Sequence, residues 1–215
     1  KNIYINISKK LMDQYNYKIN TYMFDLISNI KNCNFLEFGV KEGRSTLKFL
    51  ELCKKNNGKL LSIDIDDYSN LYKDENWKFL KTRDDNFDLV DKHINGKLDV
   101  IYLDSLHEAK HVEKIFYHYF CKLKIDGYFF IDDISWIPYL KNSERDNFYC
   151  EINNKETFSK ILNIYNSNIQ NFDLSFSFVS SGLCIIKKKK DQLFNIKEIK
   201  TRELTLKNLI RKIIK

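Results

Sequence analysis

The 215-residue chain is poor in the residues that bend or stiffen a backbone, since it has six glycines and one proline. That content excludes collagen-like and linker-like sequences. No run of apolar residues approaches the roughly 20 that a helix needs to span a bilayer. No signal peptide opens the printed sequence, which starts at Lys1. What is present, 43% hydrophobic residues in a length that suits one domain, is enough to form a sizeable core.

The cysteines show neither a disulfide framework nor a zinc motif. The chain has five, an odd number, scattered along its length and never spaced C-x-x-C. Such residues are typical of reduced thiols in the core of a cytosolic protein. We therefore expect a cytoplasmic location.

The net charge of +7 is not spread evenly. Residues 187–215 hold eleven basic and three acidic side chains, so they carry +8 and the preceding residues carry −1. A neutral body does not favour a nucleic-acid partner. Within the tail, the apolar residues fall on one helical face, which predicts a basic amphipathic helix over residues 191–215. We expect this helix to pack on its own domain or on a second subunit in a homo-oligomer, with contact to an anionic membrane surface as the alternative.

Helical and strand patterns alternate along the body of the chain. Apolar residues spaced by three and four predict a helix over about residues 10–30. Short apolar runs then alternate with helical segments, and an antiparallel hairpin closes the pattern. Such alternation is typical of a doubly wound, Rossmann-like, mostly parallel sheet with helices on both faces, in one domain over residues 1–190. The predicted strands are Asn34–Phe38, Lys59–Ile65, Phe79–Thr82, Leu98–Asp104, Tyr128–Ile131, Phe172–Ser180 and Leu183–Lys188, and the predicted helices are Arg44–Lys54, Phe87–His93 and Ala109–Leu123.

A glycine turn follows the first predicted strand. Gly39 and Gly43 let the backbone approach a ligand, and Ser45 can cap the next helix. The turn lacks the third glycine of a dinucleotide fingerprint. Glu37, just before it, would repel a pyrophosphate and attract a sulfonium, so we favour S-adenosylmethionine over NAD. An ordinary strand-to-helix turn with a solvated glutamate is the alternative.

Two further carboxylates are candidate cofactor ligands. Asp64 ends the second strand, where an acid can bind a ribose diol, and Asp84 follows the third, where it would face the nucleoside. A plain strand-end carboxylate and a loop of mixed charge are the respective alternatives.

Acidic residues end both the fourth and the fifth strands. Asp104 ends one, and Asp132 and Asp133 end the other. Tips of neighbouring parallel strands lie close together, and three unpaired anions there would repel each other unless a cation neutralised them. Oxygen ligands without cysteine predict Mg²⁺, with Mn²⁺ or Ca²⁺ possible. The alternative is that Asp133 caps the next segment while Asp104 binds a backbone amide. His107, three residues after Asp104, would take a proton beside the metal.

Taken together, these motifs resemble the class I S-adenosylmethionine-dependent methyltransferases. The resemblance is greatest to the group with the macrocin-type sugar O-methyltransferases, and the catechol-type enzymes are more distant. It covers about residues 30–190. The motifs that carry it are Glu37–Ser45, Ile63–Asp64, Leu103–His107, Gly127–Asp133 and Ser181–Ile186.

The resemblance implies a seven-stranded sheet with the last strand antiparallel. It places Glu37, Gly39 and Gly43 at the methionine end of the cofactor and Asp64 at the ribose. It also implies that the acids matching Asp104, Asp132 and Asp133 hold Mg²⁺, and that His107 stands where catechol-type enzymes place a lysine base. Ser105 and Leu106 occupy the stretch where many members of the group carry a second acid.

We therefore expect a divalent-metal-dependent O-methyltransferase that acts on a small hydroxylated acceptor, with a sugar or sugar-containing metabolite favoured. Asp104 and His107 are the catalytic candidates, and Asp104 also borders the cofactor. An aromatic insert over residues 134–156, together with the N-terminal helix, would cover the acceptor. A nucleic-acid methyltransferase and a non-catalytic subunit with the same fold remain alternatives.

Overall fold

The computed structural model describes residues 14–143, 145, 147–192, 194–196, 206 and 210. A seven-stranded sheet forms the centre, in the order β3-β2-β1-β4-β5-β7-β6. Its strands are β1 (Asn34–Phe38), β2 (Lys59–Asp64), β3 (Trp77–Lys81), β4 (Leu98–Leu103), β5 (Leu123–Asp132), β6 (Phe172–Ser177) and β7 (Leu183–Lys188). The first five pair in parallel, and β7 runs antiparallel to both β5 and β6. The predicted Rossmann-like sheet with an antiparallel last strand is confirmed.

Helices cover both faces of the sheet because the strand side chains alternate between two apolar clusters. The helices are α1 (residues 14–27, with Asn20–Phe24 wound as a π-helix), α2 (Arg44–Asn56), α3 (Phe87–Asp91), α4 (Ala109–Phe120) and α5 (Phe148–Ser167). Leu36 and Phe38 of β1 face α3, α4 and α5, whereas Phe35 faces α1 and α2. None of the helices in the described ranges is long and apolar enough to cross a membrane.

The direction of the connections reverses between β1 and β4, the two central strands. Strands β2 and β3 lie on one side of β1, and β4 and β5 lie on the other. Ligands of open α/β sheets bind beyond the carboxyl ends of the strands at such a reversal. The site is therefore to be sought where β1, β4 and β5 end.

The structure moves several predicted boundaries. Strand β5 starts at Leu123, where the prediction placed the end of a helix, because exposed Lys124, Ile125 and Asp126 hid the strand pattern. Of the insert expected over residues 134–156, the part from Phe148 onward belongs to α5, and the described residues before it include a 3₁₀ turn, Ile137–Tyr139.

The predicted C-terminal helix falls mostly outside the described residues. Where the tail is described, Phe194 packs on Phe116 and Phe120, and the Asn195 amide donates to Asn168 Oδ1 at 2.7 Å. Leu206 and Ile210 are exposed. The start of the tail therefore lies against the face of the sheet that carries α4.

Candidate active site

A cavity of about 430 Å³ opens at the carboxyl ends of β1, β4 and β5. That volume lies within the range of small-ligand sites. Of the predicted site residues, Gly39, Ser45, Asp104, His107, Asp132 and Asp133 line it. Helix α1 adds Tyr15, and the insert adds Arg145. The glycine turn and the acid-bearing strand tips thus face a single cavity.

Both turn glycines have the positive φ that favours glycine, and close backbone packing also requires the first of them. Gly39 has a φ of 90°, and a Cβ there would lie 2.0 Å from the backbone oxygen of Asp104. Gly43 has a φ of 72°, and its Cβ would lie 2.3 Å from the side chain of Leu71. Only glycine lets the end of β1 pass this close to the end of β4. The turn therefore forms one wall of the cavity, with Asp104 beside it.

Glu37 lies beneath this turn, is fully buried and is not among the residues that line the cavity. Its carboxylate accepts hydrogen bonds from the hydroxyls of Ser45 at 2.6 Å, Thr46 at 2.7 Å and Ser62 at 2.7 Å. Burial raises the pKa of Glu37 to about 7, although the three hydroxyls oppose that shift. In this position Glu37 anchors the first turn of α2, a contact that the sequence did not predict.

Asp64 holds the glycine turn from its other side. Its Oδ2 accepts from the Val40 amide at 2.7 Å and from the Lys41 amide at 3.3 Å, while Oδ1 accepts from the Asp66 amide at 3.0 Å. The carboxylate thus neighbours the cavity through residues 40 and 41 and does not line it itself.

Asp84 lies behind the cavity in a buried network. Its Oδ2 accepts from the hydroxyl of Ser105 at 2.5 Å and lies 2.8 Å from Nε2 of His111, and its backbone carbonyl accepts from Tyr119 at 2.9 Å. Ser105 lines the cavity, so Asp84 reaches it through one intervening side chain. The network joins the end of β3 to α4 and to the loop after β4.

Asp132 is buried and already paired. Its Oδ1 accepts from the ammonium of Lys18, which is fully buried on α1, and from the Asp133 amide at 2.7 Å. Its Oδ2 accepts from the hydroxyl of Tyr102 at 2.6 Å. Both carboxylate oxygens are therefore occupied by donors from the protein.

Asp104 is joined to this group through the same tyrosine. The Tyr102 hydroxyl also lies 3.1 Å from Asp104 Oδ2. Burial raises the pKa of Asp104 well above its usual range, and the charges of Asp132 and Asp133 add to the shift. Burial thus favours the protonated form of Asp104.

His107 lies between the two remaining carboxylates. Its Nε2 is 3.5 Å from Asp104 Oδ1 and 3.5 Å from Asp133 Oδ2. Burial opposes the ionisation of Asp133, yet the charges of His107, when it is protonated, and of Lys18 lower its pKa below the usual value. Asp133 thus stays ionised beside an imidazole that faces the cavity.

The sequence predicted that Asp104, Asp132 and Asp133 converge on one divalent cation, and their geometry does not fit that site. Both oxygens of Asp132 are bonded to protein donors, and a lysine ammonium stands where a cation was expected. Within the described ranges, no group of three or more His, Cys, Asp or Glu side chains is placed to hold a metal ion. The three acids do lie at the same edge of the sheet, but the positive charge beside them is the ammonium of Lys18.

Sequence reasoning missed Lys18 and Tyr102. Lys18 occupies the apolar face of the predicted first helix, at the spacing of Leu11, Tyr15 and Tyr22. A lysine at such a position is a signal for a buried, paired cation, because unpaired lysines are almost never buried. Tyr102 lies two residues before Asp104 on β4, so the alternation of a strand places the two on one face.

Comparisons with known proteins give the type of domain and the fold. Residues 36–134, just under half of the chain, match the family model of a methyltransferase domain. No curated protein matches the chain significantly.

Solved structures share the fold at low sequence identity. A candidate caffeoyl-CoA O-methyltransferase from Staphylococcus aureus is 18% identical, with a TM-score of 0.59 over 78% of this chain and 81% of that one. MycE, a methyltransferase from the mycinamycin biosynthetic pathway solved with Mg and SAH, is 16% identical, with a TM-score of 0.59 over 89% of this chain and 56% of that one. PaMTH1, an SAH-bound methyltransferase from Podospora anserina, is 16% identical, with a TM-score of 0.58 over 84% and 88%. This chain thus spans little more than half the length of MycE.

Proposed function

We propose that the protein is a class I, S-adenosylmethionine-dependent methyltransferase that methylates a hydroxyl group of a small acceptor, because residues 36–134 match the family model of a methyltransferase domain. A sugar or a sugar-containing metabolite is the favoured acceptor. The observation that carries the proposal is the position of His107, 3.5 Å from both Asp104 and Asp133, in the same cavity as the glycine turn.

The turn over residues 39–45 and Asp104 would hold the S-adenosylmethionine. Its sulfonium makes the methyl carbon electrophilic, so the protein has to align the acceptor oxygen and remove its proton. The new oxygen–carbon bond forms as the carbon–sulfur bond breaks, and S-adenosylhomocysteine leaves.

His107 is the group placed to take the acceptor's proton. A positioned imidazole is the commonest general base in enzymes. The ionised carboxylate of Asp133 can pair with the imidazolium that forms once the ring has taken the proton, and Asp104 flanks the ring on its other side. Asp104 and Asp133 thereby hold the ring in place at the edge of the cavity.

The acceptor would enter between α1 and the insert. A second cavity of about 480 Å³, lined by Gln14, Pro138 and Phe178 among others, shares Arg145 with the first. Aromatic and polar groups together suit a ring that carries hydroxyls. This arrangement supports the prediction that the insert and the first helix cover the acceptor.

Methyl transfer from radiolabelled S-adenosylmethionine to a panel of sugar nucleotides, glycosides and catechols tests the proposal. His107→Ala is expected to lower kcat by about 10²–10⁴-fold and to leave the calorimetric Kd for S-adenosylmethionine unchanged. His93→Ala is the matched control, since that ring bonds to the carbonyl of Leu89 away from the cavity.

Full turnover in His107→Ala would contradict the assigned role. Label transferred to RNA or DNA, and to no small acceptor, would favour the nucleic-acid alternative. A wild-type protein that gives no binding heat with S-adenosylmethionine would favour the non-catalytic one.

A further inference from the structure

We propose that the ammonium of Lys18 is the resident cation of the acid cluster, and that it takes the place which the sequence pattern assigns to a divalent metal. The acid cluster is Asp104, Asp132 and Asp133. The inference rests on the proposed function and deepens it, because it makes Lys18 a positioning residue for the same methyl transfer.

The surroundings of Lys18 match the bonding capacity of an ammonium group. Its Nζ donates to Asp132 Oδ1, to the Ser181 hydroxyl at 3.0 Å and to the Gly182 carbonyl at 3.4 Å. The ring of Tyr15 lies 4.9 Å away on the remaining side. A lysine has three donors, and all three have partners here. The side chain has no exposed surface, so it is a built part of the site.

The partner carboxylate already uses three of its four acceptor positions on protein donors. Asp132 is 1% exposed, with Lys18 and the Asp133 amide on one oxygen and the Tyr102 hydroxyl on the other. A divalent ion would compete with these donors for Asp132, and it would meet the positive charge of Lys18 on approach. The site is therefore closed to a cation while Lys18 is in place.

Lys18 reaches the reacting group through a short series of contacts. It fixes Asp132, Asp132 accepts from Tyr102, and the same hydroxyl lies 3.1 Å from Asp104. Asp104 in turn lies 3.5 Å from His107. Loss of the ammonium would free Asp132 and loosen the support of the imidazole, so the expected defect is in kcat.

Mn²⁺ serves as the probe, because bound and free Mn²⁺ differ in their electron paramagnetic resonance spectra. The wild-type protein is expected to leave the free-ion spectrum unchanged and to keep full turnover in EDTA. Lys18→Ala creates three unbalanced carboxylates with space between them, and it is expected to bind Mn²⁺ at least about tenfold more tightly than the wild type. Adding Asp132→Asn to that variant should remove the new binding.

Matched variants separate this role from a loss of folding. Lys188→Ala removes an equally buried lysine outside the cavity and should bind no Mn²⁺. Lys18→Arg keeps the charge and should keep much of the turnover, whereas Lys18→Gln should lower kcat by about 100-fold with little change in the KM for S-adenosylmethionine.

The proposal is overturned if the wild type binds Mn²⁺ and Asp132→Asn abolishes that binding, or if EDTA abolishes turnover and Mg²⁺ restores it. These readouts need no folded Lys18→Ala. They are also independent of the acceptor, because Mn²⁺ binding is measured without one. A failure of the proposed O-methylation, with S-adenosylmethionine bound but no methyl transferred, would therefore be seen separately.

Discussion

Two lysines of this protein are buried to nearly the same degree, and each is paired with a carboxylate, but the Asp132 carboxylate beside Lys18 is buried and the Asp191 carboxylate beside Lys188 is exposed. Lys18 lies at the carboxyl ends of the parallel strands, against Asp132. Lys188 lies at the other end of the sheet, where its Nζ donates to the backbone carbonyls of Phe120 at 3.0 Å and Leu123 at 2.7 Å and pairs with the half-exposed carboxylate of Asp191. Lys188 thus satisfies the carboxyl end of α4, a structural task. The two lysines therefore differ in the groups that they bond to and not in their degree of burial. Lys18 stabilises the site, and Lys188 stabilises the fold.

The largest expected difference between the two lysines is in stability. Lys18→Ala leaves Asp132 as an unpaired buried charge, and we expect it to lower the free energy of unfolding by about 3–5 kcal/mol. Lys18→Met combined with Asp132→Asn removes both charges and should recover most of that loss. Lys188→Met should cost about 2 kcal/mol, because two backbone carbonyls lose a donor, while the Asp191 carboxylate that it also leaves unpaired is exposed to water. Urea unfolding measures all three variants, and a double variant no more stable than Lys18→Ala would contradict the pairing.

Glu37 sharpens the comparison, because it is a buried charge whose hydrogen-bonding partners are hydroxyls and not a cation. Its pKa rises from 4.5 to about 7 on folding, so the folded state holds the proton more tightly than the unfolded state. Stability should therefore fall by about 3 kcal/mol as the pH rises from 4.5 to 7.

Glu37→Gln removes the titrating group and should flatten that part of the pH dependence, which unfolding in urea at several pH values would measure. Glu42→Gln, an exposed neighbour, is the control and should leave the dependence as it is in the wild type. An unchanged slope in Glu37→Gln would show that the carboxyl titrates near its ordinary pKa.

A smaller effect, on kcat, is expected at Tyr102, which belongs to the same group of contacts as Lys18. Tyr102→Phe removes the hydroxyl that bonds Asp132 and lies beside Asp104, and we expect kcat to fall by about tenfold. Tyr119→Phe is the matched control, since its buried hydroxyl donates to the Asp84 carbonyl outside the acid cluster. Steady-state kinetics compare the two, and equal losses in both variants would argue against a relay through Tyr102.

The smallest effect on the free energy of unfolding is expected at Lys187, the neighbour of Lys188 in the chain. Lys187 pairs with Asp126 at 2.9 Å, but both side chains are exposed. Lys187→Ala should change the free energy of unfolding by no more than about 0.5 kcal/mol, because water screens such pairs. A loss as large as that of Lys188→Met, measured by the same urea unfolding, would mean that burial does not control the contribution of these lysines.

Much of the sheet could be predicted from the sequence, because strands buried on both faces leave apolar runs such as Asn34–Phe38. The position of the site at the strand ends followed from the predicted alternation of strands and helices. The start of β5 could not be predicted, since Lys124, Ile125 and Asp126 are exposed and carry no strand pattern.

The gathering of Asp104, Asp132 and His107 could be predicted because strand tips converge whatever the packing of the helices. Lys18 and Asp132 are 114 residues apart in the chain. Their pairing depends on how α1 packs on the sheet. The same pattern of carboxylates at strand ends would occur beside a bound metal and beside a lysine ammonium. The cation could therefore not be identified from the strand sequences alone.

A crystal of the wild-type protein soaked with S-adenosylhomocysteine and Mn²⁺ tests the central claim most directly. Anomalous scattering locates Mn²⁺ without reference to the protein chemistry. We expect S-adenosylhomocysteine against the turn of Gly39 and beside Asp104, the Lys18 ammonium on Asp132, and no anomalous peak within the acid cluster. A Mn²⁺ peak coordinated by Asp104, Asp132 and Asp133, with Lys18 turned away, would contradict it.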